Sequence, residues 1–291
     1  MIEIENLYKI YGDTPQKAMD LLEKGLNKKE IRKKTGDVVG LKDVSLQIKD
    51  DELFVIMGLS GSGKSTLIRC INRLVEPTSG KIYINRDPDE INNIEKNEES
   101  KIDITSFNKK EMREIRRNRI SMVFQESALL PHLSVKENIL FGPKLKGELK
   151  SNREEIEKKA DEIIDMIGLE GWEEASPDEL SGGMKQRVGL GRALIVGADV
   201  LLMDEPFSGL DPLIKREMQM WLLDLLSEIE KTVIFITHDM KEAFTIGERI
   251  GVMKEGTIIQ VGEKEDILEN PADEYVEDFV KDIKSLLKGE L

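Results

Sequence analysis

The sequence predicts an α/β fold built on a largely parallel sheet. Three observations carry that expectation. Residues 53–57, 200–203 and 233–236 are continuous apolar runs, the pattern of strands buried on both faces. Helical periodicity lies between these runs, as crossover connections of a parallel sheet require. The first run leads through a glycine-rich stretch, 58–63, into a helix, and the second ends in the carboxylate pair Asp204 and Glu205. Strand carboxyl ends are where sheets of this kind bind ligands.

The remaining elements follow in chain order. Residues 7–11 end at the turn residue Gly12. Thr14-Pro15 starts a helix with proline at its first position, and Ala18, Leu22 and Leu26 recur at four-residue spacing. Asn27 with Glu30 three residues on makes a capping-box pattern, and Thr35-Gly36 stops it. Residues 14–36 therefore read as a short helical pair inserted between two strands. Residues 44–48 alternate as a half-buried strand, a helix is expected from Lys64 to about Leu74, and 81–84 form another strand. The charged, Asn-rich stretch 86–102 reads as a solvated loop dispensable for chemistry. Ile156, Ala160, Ile163, Ile164 and Ile167 mark a helix closed by Gly168, and Asp211-Pro212 opens another.

Composition narrows the function classes. The 291 residues allow about two domains and a core that needs no staples. The chain carries 43 Lys and Arg against 57 Asp and Glu, a net charge of −14. Nucleic acid is not expected as the main ligand, because neutralising its phosphates needs a basic surface; a nucleotide needs only a local anion site. The single cysteine, Cys70, excludes an internal disulfide and a cysteine-based zinc site, and is expected to pack. No basic, apolar leader opens the chain, and no apolar run reaches the ~18 residues of a membrane span. A soluble, cytoplasmic chain that meets a membrane only through a partner is expected.

Three strings carry chemistry. Gly58-Leu59-Ser60-Gly61-Ser62-Gly63-Lys64-Ser65 has the spacing G-x-x-x-x-G-K-[ST] of a phosphate-binding loop, set between strand and helix. Its glycines let successive N–H groups face one centre, and the helix N-terminus adds a positive dipole end. Lys64 would reach the β and γ phosphates and the Ser65 hydroxyl would hold Mg²⁺. At the end of the second buried strand, Asp204 suits Mg²⁺ through water and Glu205 suits the general base for an attacking water. Ser181, Gly182 and Gly183 precede a helix carrying Arg187 and Arg192, which reads as a second anion site. Two phosphate-facing surfaces in one chain point to a head-to-tail pair, each closing on the nucleotide its partner holds.

Leu180-Ser181-Gly182-Gly183 with Gln186 resembles the signature motif of ATP-binding cassette ATPases, and the other family motifs follow in the family's order. The resemblance runs from Ile4 to about Phe279. It implies ATP and Mg²⁺ as ligands, with Thr66 completing the phosphate loop. Tyr11 resembles the aromatic that stacks on adenine, with Tyr8 as the competing candidate. Gln125, in Val123-Phe124-Gln125, resembles the Q-loop glutamine that senses γ-phosphate, metal and transmembrane partner. Ser208-Gly209-Leu210-Asp211 resembles the D-loop, which brings Asp211 to the nucleotide, and His238 resembles the switch histidine. His132, Trp172 and Trp221 are assigned no chemistry: His132 is expected at the surface, the tryptophans in packing.

The implied fold is a P-loop NTPase (RecA-like) core with a mainly parallel sheet, an antiparallel β subdomain and an inserted α-helical subdomain. The core would take in about 1–125 and 188–270, the helical subdomain about 126–187, and a C-terminal helical tail about 271–291. The strings 57–66, 71–78 and 177–184, together with the insertion at 14–36, are similar to the glycine betaine/proline betaine uptake subfamily. That similarity implies an ATPase subunit at the cytoplasmic face of a membrane, acting as a homodimer on transmembrane permease subunits fed by an extracytoplasmic solute-binding protein. Two departures from the subfamily are expected: no paired CBS-type regulatory modules within these 291 residues, and a stretch 86–102 longer than the usual loop. The rival readings are a cassette ATPase of another small-solute importer, a non-transport cassette ATPase and a non-hydrolysing regulator. Lack of zinc cysteines and heptads speaks against the second, and an intact Asp204-Glu205 pair with His238 against the third.

Overall fold

The computed structural model describes residues 1–85 and 101–287. Of the stretch 86–102, all but the last two residues lie outside the described residues. In chain order the elements are β1 (Ile2–Tyr11), α1 (Pro15–Glu23), α2 (Lys28–Thr35), β2 (Val38–Ile48), β3 (Leu53–Met57), α3 (Lys64–Ile71), β4 (Ser79–Asn85), β5 (Lys101–Asp103), α4 (Lys109–Asn118) and β6 (Ile120–Val123). They continue with α5 (Val135–Ile139), α6 (Phe141–Lys146), α7 (Arg153–Met166), α8 (Gly182–Leu194), β7 (Val200–Asp204), α9 (Pro212–Ser227), β8 (Thr232–Thr237), α10 (Met240–Ile246), β9 (Arg249–Lys254), β10 (Thr257–Glu263), α11 (Lys264–Glu269) and α12 (Glu274–Leu287). They gather into two compact units, Met1–Met112 with Thr237–Leu291, and Arg113–Ile236.

The first unit holds an antiparallel sheet in the order β2-β1-β4-β5. Ile2 and Ile4 face its core, and strict alternation would then turn Leu7 the same way as Glu5 and Glu3. Asn6 prevents this. It takes φ 45°, the register shifts between Ile4 and Leu7, and both Leu7 and Ile10 are buried. The Asn6 amide donates to Ser45 Oγ at 3.0 Å and its Nδ2 to Asp43 Oδ1 at 2.9 Å, so the bulge keeps its polar groups paired. β2 begins six residues before the stretch 44–48 that alternates in sequence, because β1 pairs with it as far as Tyr11 opposite Val38. The same unit pairs β3 with β9 in parallel and β9 with β10 antiparallel.

The inserted helical pair forms as its sequence predicts. Asn27 and Glu30 make a reciprocal capping box, and Gly36 ends α2 at φ 80°. Ala18, Leu22 and Ile31 are buried with Ile10 and Val39. Leu26 lies past the end of α1 and packs from the turn instead. α3 stops at Ile71, three residues short of the expected end. Arg73 takes φ 49°, and its guanidinium donates to the carbonyls of Ile104 and Phe107 at 2.6 and 2.7 Å, which pulls the chain out of the helix.

In the second unit β6, β7 and β8 run parallel in that order. Helices α5, α7 and α8 enclose a core of Val135, Ile139, Ala160, Ile163, Ile164, Ile167 and Val188. Asn138 is fully buried and organises the turn before α5. Its Nδ2 shares its two hydrogens among the carbonyls of Leu130, Leu133 and Ser134 at 3.0–3.1 Å, and its Oδ1 accepts from the Leu130 amide at 2.8 Å. Among the described residues no helix is long and apolar enough to cross a membrane.

Two substitutions test this packing. Ile31→Ala empties the core between the insertion and the sheet and should cost about 2–5 kcal/mol, read as a lower urea midpoint at unchanged slope. Asn138→Ala takes the side-chain partner from the Leu133 carbonyl and the Leu130 amide, while the Leu130 and Ser134 carbonyls keep the amides of Leu133 and Asn138, and should cost at least about 2 kcal/mol in the same titration.

Candidate functional site

The five residues of β3 are all buried, and the chain then turns through the glycine-rich loop into α3. Two features make the loop a cradle. A Cβ on Gly58 would strike the Met253 carbonyl and stand 2.8 Å from Ser62 Oγ; one on Gly63, where φ is +109°, would stand 2.8 Å from the Gly40 carbonyl. Only glycine lets the backbone pass this closely. Inside the loop Lys64 is 4% exposed and its Nζ donates to the carbonyls of Gly58 and Leu59 at 2.8 and 3.2 Å. Ser62 is equally buried, and its Oγ has no hydrogen-bond partner among the described residues. A buried hydroxyl without a partner is costly, and in a loop that also holds a buried ammonium group it suits an oxyanion. Leu59, Ser60 and Gly61 form the exposed rim, with Ser65 and Thr66 half-buried on the first turn of α3.

Tyr11 and Tyr8 part company. Tyr11 is 39% exposed, its hydroxyl is 3.3 Å from Thr66 Oγ1, and Lys9 Nζ lies 4.9 Å from its ring centre. Tyr8 packs against the core of the helical insertion, where burial, with Asp43 and Glu23 nearby, pushes its phenol above the ordinary value. Of the two, Tyr11 is the more exposed and the one in contact with Thr66, although Lys9 lies over its ring.

The second unit holds the carboxylates. Asp204, 1% exposed, ends β7, and Glu205 follows at φ 48°, its amide donating to the Ile236 carbonyl at 3.1 Å. A non-glycine residue held there stores strain, which concentrates at functional sites. The strain turns the chain sharply off the strand, with Pro206 and Phe207 buried beneath and the Phe207 ring 5.7 Å from that of Phe235. Gln125 is brought to the same region: its Nε2 donates to Ser208 Oγ at 3.2 Å, while Gln186 Nε2 donates to the Gln125 carbonyl at 2.9 Å.

Ser181 caps α8, accepting from the Met184 amide at 3.3 Å, and both Gly182 and Gly183 lie within the first helical turn rather than before it. Cβ atoms there would stand 3.0 Å from Leu210 and Ile214, so the two glycines admit the 208–211 segment and the start of α9. Asp211 caps α9 through the amides of Leu213 and Ile214, each at 3.1 Å. The two arginines of α8 are not at this end. Arg187 lies over the Trp221 ring at 4.8 Å and donates to the Ile167 carbonyl; Arg192 donates to the carbonyls of Ser127 and Ala128, each at 2.7 Å. Burial lowers the pKa of both, and they brace the fold rather than an anion. The anion site expected from Ser181–Gly183 and these arginines thus reduces to the helix terminus alone.

His238 is exposed between β8 and α10, which Asp239 caps. His132 lies at the surface, and Cys70 is buried, which pushes its thiol up to about 12. Trp221 packs, whereas Trp172 stays 41% exposed and does so only in part. One contact has no sequence signal: the Leu59 amide on the rim of the loop bonds the Tyr275 phenol of α12, and Lys254 covers that ring at 4.3 Å. Nothing in the spacing of residues 59 and 275 announces it.

The likeness to known proteins is extensive. Residues 41–208 match the family model described as ABC transporter. The chain is 51% identical to the glycine betaine transport ATP-binding protein OpuAA of Bacillus subtilis, over 97% of this chain and 63% of that protein. It is 48% identical to the glycine betaine/proline betaine transport system ATP-binding protein ProV of Escherichia coli, over 97% of this chain and 66% of that protein. The chain thus spans just under two thirds of the length of these relatives. Among solved structures it is similar to the dimeric post-hydrolysis state of the ATP-binding cassette MJ0796 bound to ADP and Pi, with a TM-score of 0.70 and 31% identity over 90% of this chain and 98% of that one. A glycine cradle around a buried lysine, a carboxylate turn at a strand end and these matches have one reading in common: the chain belongs to the ABC transporter family.

Proposed function

We propose that this chain is the ATP-hydrolysing subunit of an importer for a compatible solute, glycine betaine, proline betaine or a related quaternary amine. The observation that carries the nucleotide part is the loop 58–65, a glycine-rich turn between a buried strand and a helix that holds a buried ammonium group and a buried hydroxyl without a partner among the described residues. The solute part rests on the similarity to OpuAA and ProV. The residues of the site touch nucleotide rather than solute, so the solute follows by family analogy.

In this reading Lys64 and the amides of 58–65 hold the phosphates, and Tyr11 stacks on the adenine. Gly58, Gly61 and Gly63 keep the backbone close to the anion, and Ser62 turns its hydroxyl to a phosphate oxygen. Ser65 and Asp204, with Gln125, supply the few hard oxygen ligands that Mg²⁺ takes from protein when phosphates complete its shell. The metal would neutralise charge developing on the phosphate oxygens. Glu205 accepts the proton of the attacking water, and the rigid turn at φ 48° fixes where its carboxylate stands. His238 lines the γ-phosphate. Ser181, Gly182 and Gly183 of a second copy close the site, and Asp211 holds the helix on which they rest. Positioning and electrostatics of this kind account for most of phosphoryl-transfer catalysis.

The partners follow from that cycle. Two copies pair head to tail around two nucleotides, and their closing and opening drives transmembrane permease subunits as a ligand-biased two-state element. An extracytoplasmic solute-binding protein delivers the solute to the permease. The ATPase subunit sits peripherally at the cytoplasmic face.

Two experiments test this. Glu205→Gln should lower the rate of phosphate release by about 10²- to 10⁴-fold and leave nucleotide binding in place, so that a nucleotide-bound dimer accumulates on gel filtration. Hydrolysis at the wild-type rate would remove Glu205 from its role. Labelled glycine betaine uptake at high osmolarity should be lost in cells carrying Lys64→Ala. Unchanged uptake, with the wild-type protein hydrolysing ATP, would keep the engine and discard the solute.

A further inference from the structure

We propose that Lys28, on the inserted helical pair, is a positioning residue that holds the phosphate loop in its binding geometry. The inference rests on the reading of residues 58–66 as a nucleotide site. Lys28 opens α2, and its side chain lines a cavity of about 220 Å³ with Leu22, Leu26, Lys42, Lys254 and Glu255. Its Nζ donates to the Val39 carbonyl at 2.7 Å and reaches the Gly40 carbonyl at 3.5 Å.

Gly40 is where β2 meets the nucleotide-facing parts of the unit. A Cβ there would stand 2.9 Å from the Tyr11 ring and 3.3 Å from Thr66 Cγ2. The Gly40 carbonyl is the same group against which Gly63, the last glycine of the loop, packs. The turn between β9 and β10 completes the junction. The Gly256 amide donates to the Ser62 carbonyl at 2.6 Å, and the Gly256 carbonyl accepts from the Lys42 amide at 2.8 Å. A Cβ on Gly256 would stand 2.5 Å from Lys28 Nζ. Three backbone segments thus meet without side chains at Gly40, Gly63 and Gly256, and the ammonium group of Lys28 closes the junction from the side of the insertion. It ties down the carbonyl that sets how far Gly63 can move.

Stability is a poor reason for a cation in this place. Burial, with Lys42 adding to it and Glu255 opposing, lowers the Lys28 pKa to about 8. A lowered lysine pKa means that the folded state disfavours the charged form, so the charge costs stability below pH 8 and the cost fades as the amine deprotonates. Removing it should therefore leave the fold intact while loosening the loop.

The test compares full-length wild type, Lys28→Met, Lys28→Arg and Lys64→Ala, reading the dissociation constant of a fluorescent ATP analogue and the nucleotide-free thermal midpoint. Lys28→Met should weaken binding about tenfold, the scale of one charge-assisted hydrogen bond, with the midpoint within a few degrees of wild type. Lys28→Arg, which keeps donors at both carbonyls, should bind within about threefold of wild type. Binding unchanged in Lys28→Met, a loss that tracks a falling midpoint, or an equal loss in Lys28→Arg overturns the proposal. Wild type that binds no nucleotide removes the site reading and this inference with it; wild type that binds where Lys64→Ala does not keeps the site whatever Lys28 does.

Discussion

The rest of the first unit is arranged around one constraint, the close approach of backbone to backbone at the phosphate loop. Gly63 packs on the Gly40 carbonyl, Gly58 on the Met253 carbonyl, and Gly256 donates to the Ser62 carbonyl. No side chain fits between these segments, so β2, β9 and the β9–β10 turn must all come to the loop. The loop holds one buried ammonium group, bonded to the carbonyls of Gly58 and Leu59, and one buried hydroxyl, Ser62 Oγ, with no hydrogen-bond partner among the described residues. In the proposed reading this is a local anion site in a chain whose net charge is −14. A local arrangement of donors, rather than the sign of the whole surface, sets what binds at close range.

The carboxylate side obeys a different constraint. Asp204 and Glu205 are adjacent in sequence, and in a straight strand they would point to opposite faces. The left-handed backbone at Glu205 breaks that alternation at once. The turn is held by the bond from its amide to the Ile236 carbonyl and by Phe207 packing on Phe235. The strain is repaid by burial beneath the turn, which gives Glu205 a fixed stance without a helix or strand of its own.

Helix α8 separates its two roles by end. Its N-terminus carries Ser181, Gly182 and Gly183 bare of bulky side chains, so the 208–211 segment lies against it. Farther along, Arg187 turns to the Ile167 carbonyl and the Trp221 ring, and Arg192 to the carbonyls of Ser127 and Ala128, which fixes the loop that follows Gln125. A change at Arg192 would therefore reach Gln125 through the backbone rather than through any ligand. Within the first unit, α12 reaches the loop through Tyr275, and the insertion reaches through Lys28 the Gly40 carbonyl on which Gly63 packs.

The sequence by itself determined the parts governed by short-range rules. Glycine spacing, capping boxes and apolar periodicity act over a few residues, so the loop 58–65, the helical pair 14–36, the buried strands and the parallel class were all legible. The candidate residues Lys64, Asp204, Glu205 and Ser181 could be named because each belongs to such a string, whereas Gln125 was named only through the family resemblance. Only the tertiary structure decided matters that depend on what lies across a sheet or beneath a helix. It gave Tyr11 the exposed face and Tyr8 the packed one, and it sent Arg187 and Arg192 to packing although their charge suggested an anion. It bent β1 at Asn6 to keep Leu7 inward, ended α3 early through Arg73, and left Ser62 Oγ buried without a partner among the described residues. Each of these outcomes turns on contacts between residues tens to hundreds apart in the chain, which no local pattern encodes.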